Sequence, residues 1–167
     1  WAVGEKGTVI KTTDGGNTWN DESLATEESL NAVHFVNAST GWTTGSGGYV
    51  ARTVDGGATW APAAPPHGLP LFGVHGVDDM TAWVVGVTLR VFYTTDGGQN
   101  WNLQAEQANG AFYDIHFADA TTGWVVGAGG QIMTTINGTN WNYQSTPTTE
   151  HLYGVHFVDS MTGWAVG

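Results

Sequence analysis

The sequence predicts an all-β chain of repeated, four-stranded antiparallel units, and three recurring landmarks carry that prediction. A tryptophan returns at Trp1, Trp42, Trp83, Trp124 and Trp164, in steps of 41, 41, 41 and 40 residues. A glycine-rich turn follows at Asp14-Gly15-Gly16, Asp55-Gly56-Gly57, Asp96-Gly97-Gly98 and, one residue shorter, Asn137-Gly138-Thr139. A second tryptophan closes each turn, at Trp19, Trp60, Trp101 and Trp141. The third landmark is an alternating run before the first tryptophan of a unit: Val33-His34-Phe35, Val74-His75-Gly76, Ile115-His116-Phe117 and Val155-His156-Phe157. A fixed internal period marks an array in which each unit buries its apolar face only against its neighbours.

Within one unit the order of elements follows from local pattern. Residues 30–36 alternate apolar and polar, 41–45 and 49–54 form two further short runs, and a fourth begins at Thr59 after the glycine turn. Period-two alternation, β-branched and aromatic enrichment and turn residues every eight to twelve positions favour strands, and no stretch shows helical spacing long enough for a helix. Four short antiparallel strands of this kind resemble one blade of a β-propeller. The units fall at about 1–29, 30–70, 71–111, 112–151 and 152–167, forming a single array. The chain opens on a second strand and closes after another second strand, so it holds three whole blades between two partial ones. The simplest account is a segment of a larger propeller of about seven or eight blades.

Composition narrows the function classes. The net charge is −11, from 15 acidic and four basic residues, which repels a phosphate backbone and anionic lipid alike. No nucleic-acid partner is expected. No apolar run approaches the length of a membrane span, so no membrane insertion is expected either. The chain has no cysteine, which removes disulfides and thiolate metal sites. Few Lys and Arg beside abundant Thr, Asn, Gly and Trp suggest an exported, bacterial-type protein acting outside the cell. The sequons at Asn37 and Asn137 fit export, although such triplets arise often by accident in a chain of this composition.

The turns carry a more specific likeness. Residues 12–19 and 53–60 resemble the Asp-box, Ser/Thr-x-Asp-x-Gly-x-Thr-Trp, and 94–101 match nearly as well. The physical reading is structural: Asp14, Asp55 and Asp96 accept bonds from their own turns, Gly16, Gly57 and Gly98 supply positive φ, and Trp19, Trp60, Trp101 and Trp141 cover the hairpins. Asn137 replaces the aspartate in the fourth copy, which predicts an altered, weaker turn held by its neighbours. With Gly-Trp-Ala-Val-Gly at 163–167 and Leu-Tyr-Gly-Val-His-Phe-Val-Asp at 152–159, the unit resembles the repeats of the photosystem II stability and assembly factor family. Proteins of this class range from assembly factors to sialidases, sortilin-type receptors and xyloglucan-degrading glucanases, so the resemblance implies the fold more than the function.

Candidate sites were weighed against structural roles. His34, His75, His116 and His156 occupy one repeat position; alternation of side chains across the blades predicts that they are spread around the ring as structural residues, with no metal or cofactor. A sialidase needs an arginine cluster, and only Arg52 and Arg90 exist, at different repeat positions. A glycosidase needs two placed carboxylates. Asp114 is the conspicuous departure, standing where other copies carry Ala32, Gly73 and Gly154; Asp78, Asp79 and Asp119 are possible partners, although Asp79, Asp119 and Asp159 read better as turn caps. No catalytic residue is assigned. The expected function is a non-enzymatic scaffold binding a protein or glycan, with residues 20–29, 61–70 and 104–110 as candidate contact loops. The alternatives are a fragment of a carbohydrate-active hydrolase, or self-association through repeat ends into a filament.

Overall fold

A computed structural model describes residues 1–63, 65 and 68–167. The middle of the 61–70 loop therefore lies partly outside the described residues. Among the described residues seventeen strands form five separate antiparallel sheets in chain order. The first sheet holds β1 (Ala2–Val3), β2 (Val9–Lys11) and β3 (Asn20–Asp21). Three four-stranded sheets follow. They comprise β4 (Leu30–Phe35), β5 (Gly41–Gly45), β6 (Val50–Thr53) and β7 (Ala61–Pro62), then β8 (Leu71–Gly76), β9 (Ala82–Gly86), β10 (Arg90–Thr94) and β11 (Asn102–Ala105), and then β12 (Phe112–Phe117), β13 (Gly123–Gly127), β14 (Ile132–Thr135) and β15 (Asn142–Gln144). A hairpin of β16 (Gly154–Phe157) and β17 (Gly163–Val166) ends the chain. These are all-β blades of the expected propeller type. Among the described residues no helix is long and apolar enough to cross a membrane.

Strands pair in sequence order, and the first strands β4, β8, β12 and β16 lie against one another from blade to blade. Each whole blade has a bulge near the start of its first strand, at Leu30/Ala32, Leu71/Gly73 and Phe112/Asp114. The bulge frees one side chain per blade, Asn31, Phe72 and Tyr113, from the alternation of the strand.

The core lies between blades rather than within them. Trp42, Val74 and Phe92 belong to one cluster, Trp83, Phe112, Phe117 and Met133 to the next, and Trp124, Leu152 and Val155 to a third. The recurring tryptophan is the pivot of each joint. Trp1 stacks on Phe35 at 4.5 Å, Trp83 on Phe117 at 3.9 Å and Trp124 on Phe157 at 3.5 Å. The same tryptophan receives the glycine turn of the next blade: Gly57 lies against Trp1, while a Cβ on Gly98 would sit 3.1 Å from Trp42 and one on Gly138 3.1 Å from Trp83. Glycine is required there by close approach as well as by positive φ.

The turns form a dense local network. In the first, Thr18 donates to Asp14 through its amide at 2.9 Å and its hydroxyl at 2.6 Å, and Gly16 N–H donates to Thr12 Oγ1 at 2.8 Å. The second repeats this with Thr53, Asp55 and Thr59, and the third uses Asn100 Nδ2 in place of the threonine hydroxyl. In the fourth, one oxygen, Asn137 Oδ1, accepts from the amides of Thr139 and Asn140 and from the hydroxyls of Thr135 and Thr139. Gly138 O then accepts from Trp83 Nε1 and Gln104 Nε2.

Between second and third strands the chain makes a tight turn through two left-handed residues: Lys6-Gly7, Gly47-Gly48 and Gly129-Gly130. In the third sheet Thr88 and Leu89 take the same conformation at φ 59° and 48°. Leu89 is buried in the core, and that burial offsets the steric cost of left-handed backbone at a side-chain-bearing residue.

Candidate functional site

The four first strands align two rows of side chains across the blades. The row at the bulge runs Asn31, Phe72, Tyr113, Tyr153. Phe72 and Tyr113 rings are 5.7 Å apart and Tyr113 and Tyr153 4.9 Å, with His151 6.0 Å from Tyr113. Tyr153 is 59% exposed, and Phe72 and Tyr113 are partly exposed. Asn31 takes no part in ring stacking; its amide donates to Leu71 O at 2.7 Å. The segments 20–29, 61–70 and 104–110, expected as loops, begin in strand, since β3, β7 and β11 take in Asn20–Asp21, Ala61–Pro62 and Gln104 with Ala105, and each precedes in sequence the strand that brings the next member of this row.

The second row corrects an expectation. The four histidines are not spread apart but form a continuous column, with ring centroids 4.0 Å apart for His34–His75, 5.0 Å for His75–His116 and 4.5 Å for His116–His156. The alternation rule treats blades as widely splayed, whereas first strands at the inner edge approach closely enough for residues one repeat apart to touch. Burial disfavours the charged imidazole, with neighbouring histidines adding to the effect: His34 is lowered to about 4, His75 to about 2, and His116 is lowered as well. His34 Nδ1 accepts the Gly76 amide at 3.0 Å, and His116 Nε2 bonds Phe157 O at 2.9 Å. Among the described residues no group of three His, Cys, Asp or Glu is disposed to hold a metal ion.

Asp114 is a strap between blades. Its two carboxylate oxygens accept the amides of Ile115 and, one blade on, Val155, both at 2.9 Å. Burial raises its pKa against those two bonds. Among the described residues the charged group acting on it is His156, and no carboxylate joins it as in a glycosidase pair. The turn caps also need correction. The recurring cap is Asn37, Asp78, Asp119 and Asp159, each accepting two backbone amides two and three residues on. Asp79 stands one place later and accepts from Asn37 Nδ2 at 2.8 Å. Adjacent aspartates at 78 and 79 obscure this register in the sequence.

Both sequon asparagines are engaged in these turns, Asn37 with Asp79 and Asn137 with its own backbone. The two arginines lie apart: Arg52 covers the Trp42 ring at 5.4 Å, and Arg90 pairs with Glu106, its Nε donating at 2.8 Å. No anion-binding cluster results. A polar cleft of ≈ 360 Å³ lies between Asp21–Leu24 and Gly57–Trp60.

The family model for photosynthesis system II assembly factor YCF48 matches residues 1–70 and 63–136. No curated protein matches the chain by sequence. Among solved structures, YCF48 bound to a D1 peptide is 16% identical over 99% of this chain and 85% of its own, with a TM-score of 0.58. YCF48 from Cyanidioschyzon merolae is 16% identical over 98% of this chain, which spans 61% of that protein, with a TM-score of 0.71. An ancestral GH74 enzyme is 14% identical with a TM-score of 0.76, and this chain spans 25% of it. These structural likenesses show the propeller fold, and the two matched segments of the family model together run from residue 1 to residue 136. The chain belongs to the photosynthesis system II assembly factor YCF48 family.

Proposed function

We propose that this chain is a non-enzymatic propeller scaffold that binds a protein partner, with the row Phe72, Tyr113 and Tyr153 as its contact surface. The carrying observation is that row: three aromatic rings in register on consecutive blades, bordered by the linking loops and left partly open to solvent. Aromatic side chains of this kind supply contact area at low entropic cost. A related YCF48 binds a D1 peptide, and an extended peptide laid across successive blades would meet one ring per blade. A net charge of −11 favours a segment carrying basic residues. Photosystem assembly is one special case of this role. The finer parts of the proposal are action outside the cell, acceptance of a glycan as an alternative ligand, and self-association through repeat ends.

Hydrolysis has less support in the site, because Asp114 is committed to two backbone amides and faces no partner acid. A pull-down from the native cell, repeated with Tyr113→Ala and Tyr153→Ala, tests the reading. Capture of a specific protein that the two variants weaken by about tenfold is expected. Cleavage of any member of a polysaccharide panel, abolished in Asp114→Ala, would overturn it.

A further inference from the structure

Asparagine is followed by glycine at two places in this chain, Asn109-Gly110 and Asn137-Gly138. That dipeptide is chemically labile, because glycine has no side chain to keep its amide nitrogen away from the asparagine carboxamide. Both asparagines are exposed, yet their surroundings are opposite. At Asn137 both reacting groups are held. Its Oδ1 accepts from the amides of Thr139 and Asn140 and from the hydroxyls of Thr135 and Thr139, which fixes the carboxamide. The Gly138 amide, the would-be nucleophile, donates to Thr121 O at 2.9 Å, and Gly138 is buried against the Trp83 ring. The same bond ties Gly56 to Ser39 O at 2.8 Å and Gly97 to Met80 O at 2.9 Å, so it belongs to the turn itself.

Asn109 stands at the tip of a short loop pinned at two points to Thr88. The Gln107 amide donates to Thr88 O at 2.9 Å, and the Thr88 amide donates to Gly110 O at 2.8 Å. These pins take the Gly110 carbonyl and leave its nitrogen alone. Among the described residues neither the Gly110 amide nor the Asn109 side chain has a hydrogen bond. Ala108, Asn109 and Gly110 are all exposed, and Gly110 lies at φ 112°, where the main chain is least hindered by its own atoms only because glycine is there.

We propose that Asn109 is a site of spontaneous deamidation, left open by the fold while Asn137 is shielded. The Gly110 nitrogen, its proton taken by solvent base, attacks Asn109 Cγ. The bond from Cγ to Nδ2 breaks, Nδ2 leaves as ammonia, and a succinimide ring closes. Water then opens the ring at one of its two carbonyls. Opening at Cγ gives aspartate; opening at the main-chain carbonyl gives isoaspartate, whose main chain runs through Cγ and is one carbon longer. The balance is one water in and one ammonia out, with no oxidant or reductant. Either product adds a negative charge to a chain that already carries −11. Isoaspartate also lengthens the tip between the two pins to Thr88, just before Phe112 and Tyr113. The proposal goes beyond the partner-binding reading and does not depend on it.

Peptide mass mapping of the purified chain during incubation in mildly alkaline buffer tests this. Asn109 is expected to convert about tenfold or more faster than Asn137, whose neighbouring nitrogen is freed only when its turn opens. Unfolding in denaturant should bring the two rates together, since the dipeptides are the same. An isoaspartyl methyltransferase is expected to label the Asn109 peptide of the aged, folded chain. Asn109→Gln, whose longer side chain disfavours ring closure, should lose both that label and the acidic band that ageing adds on isoelectric focusing. Persistence of the Asn109 amide in the folded chain, over a time in which both asparagines convert in denaturant, overturns the proposal. Equal rates at the two sites in the folded chain overturn it too, as does an aspartate product with no isoaspartate beside it.

Discussion

Trp42 and Trp83 occupy the same repeat position, yet the two joints they anchor are built differently. Trp83 stacks on Phe117 and Tyr93, and its Nε1 donates to Gly138 O at 3.1 Å and Gln104 Oε1 at 3.2 Å. Trp42 meets Gly76 where the other joint has a phenylalanine, Arg52 where it has a tyrosine, and Ala63 where it has a glutamine. Its Nε1 is buried without a partner. Both tryptophans are nonetheless almost fully buried, at 0% and 1% exposure. The difference teaches that the joint is specified by volume first. Strand separation can narrow around a glycine or widen around a phenylalanine, and polar satisfaction is the variable that gives way.

Four changes break or sharpen that contrast. Phe117→Ala should have the largest effect, about 3–5 kcal/mol in denaturant unfolding, because it leaves a cavity against Trp83 that the neighbouring blades cannot fill. Acid should act next, and on the Trp42 joint. The folded state holds His34 at about 4, below its ordinary 6.5, so the unfolded chain takes up the proton first. Stability is then full above pH 6.5, and His34 contributes a fall of about 2–3 kcal/mol as pH drops towards 4, because the unfolded chain binds the proton while burial keeps the folded imidazole neutral and accepting from the Gly76 amide. His34→Asn, which keeps an acceptor but cannot titrate there, should make the fall in melting temperature across that window shallower, the remainder coming from His75 and His116. Gly76→Phe imitates the other joint in a space closed to it. A Cβ there already meets Val36 Cγ2 at 2.8 Å, so a loss of about 1–3 kcal/mol is expected in the same unfolding assay. Gln104→Ala should cost least, about 1–2 kcal/mol, by leaving Trp141 Nε1 without its 2.9 Å acceptor and Trp83 with a single one.

Much of this was legible in the residues. The period fixed the blades and their strands, since β4, β5 and β6 lie within a residue of the runs predicted at 30–36, 41–45 and 49–54. A finer signal was present but easily missed. Gly41, Gly123 and Gly163 pair across the hairpin with Phe35, Phe117 and Phe157, whereas Ala82 pairs with Gly76: the residue before these tryptophans is glycine where a ring lies on it and gains a Cβ where none does. The histidine contacts were not legible, because a repeat period gives equivalence of position and says nothing of the distance between equivalents. That distance depends on how tightly the inner strands crowd. The aromatic row escaped for a related reason. A bulge takes one residue out of the two-residue alternation, so Phe72 and Tyr113 sit outside the pattern that strand reasoning follows. The left-handed Thr88-Leu89 turn likewise has no glycine to announce it, and is held by the burial of Leu89.

The tryptophan joints bear on how the chain reaches this state. Each links residues of one blade to those of the next, as in Trp1 to Phe35, Trp83 to Phe117 and Trp124 to Phe157. Loop-closure entropy is therefore met in small, equal instalments, and a nucleus of two adjacent blades can form anywhere and grow in both directions. Amide exchange should accordingly be slowest around Trp83, in the blade that has tryptophan joints on both sides.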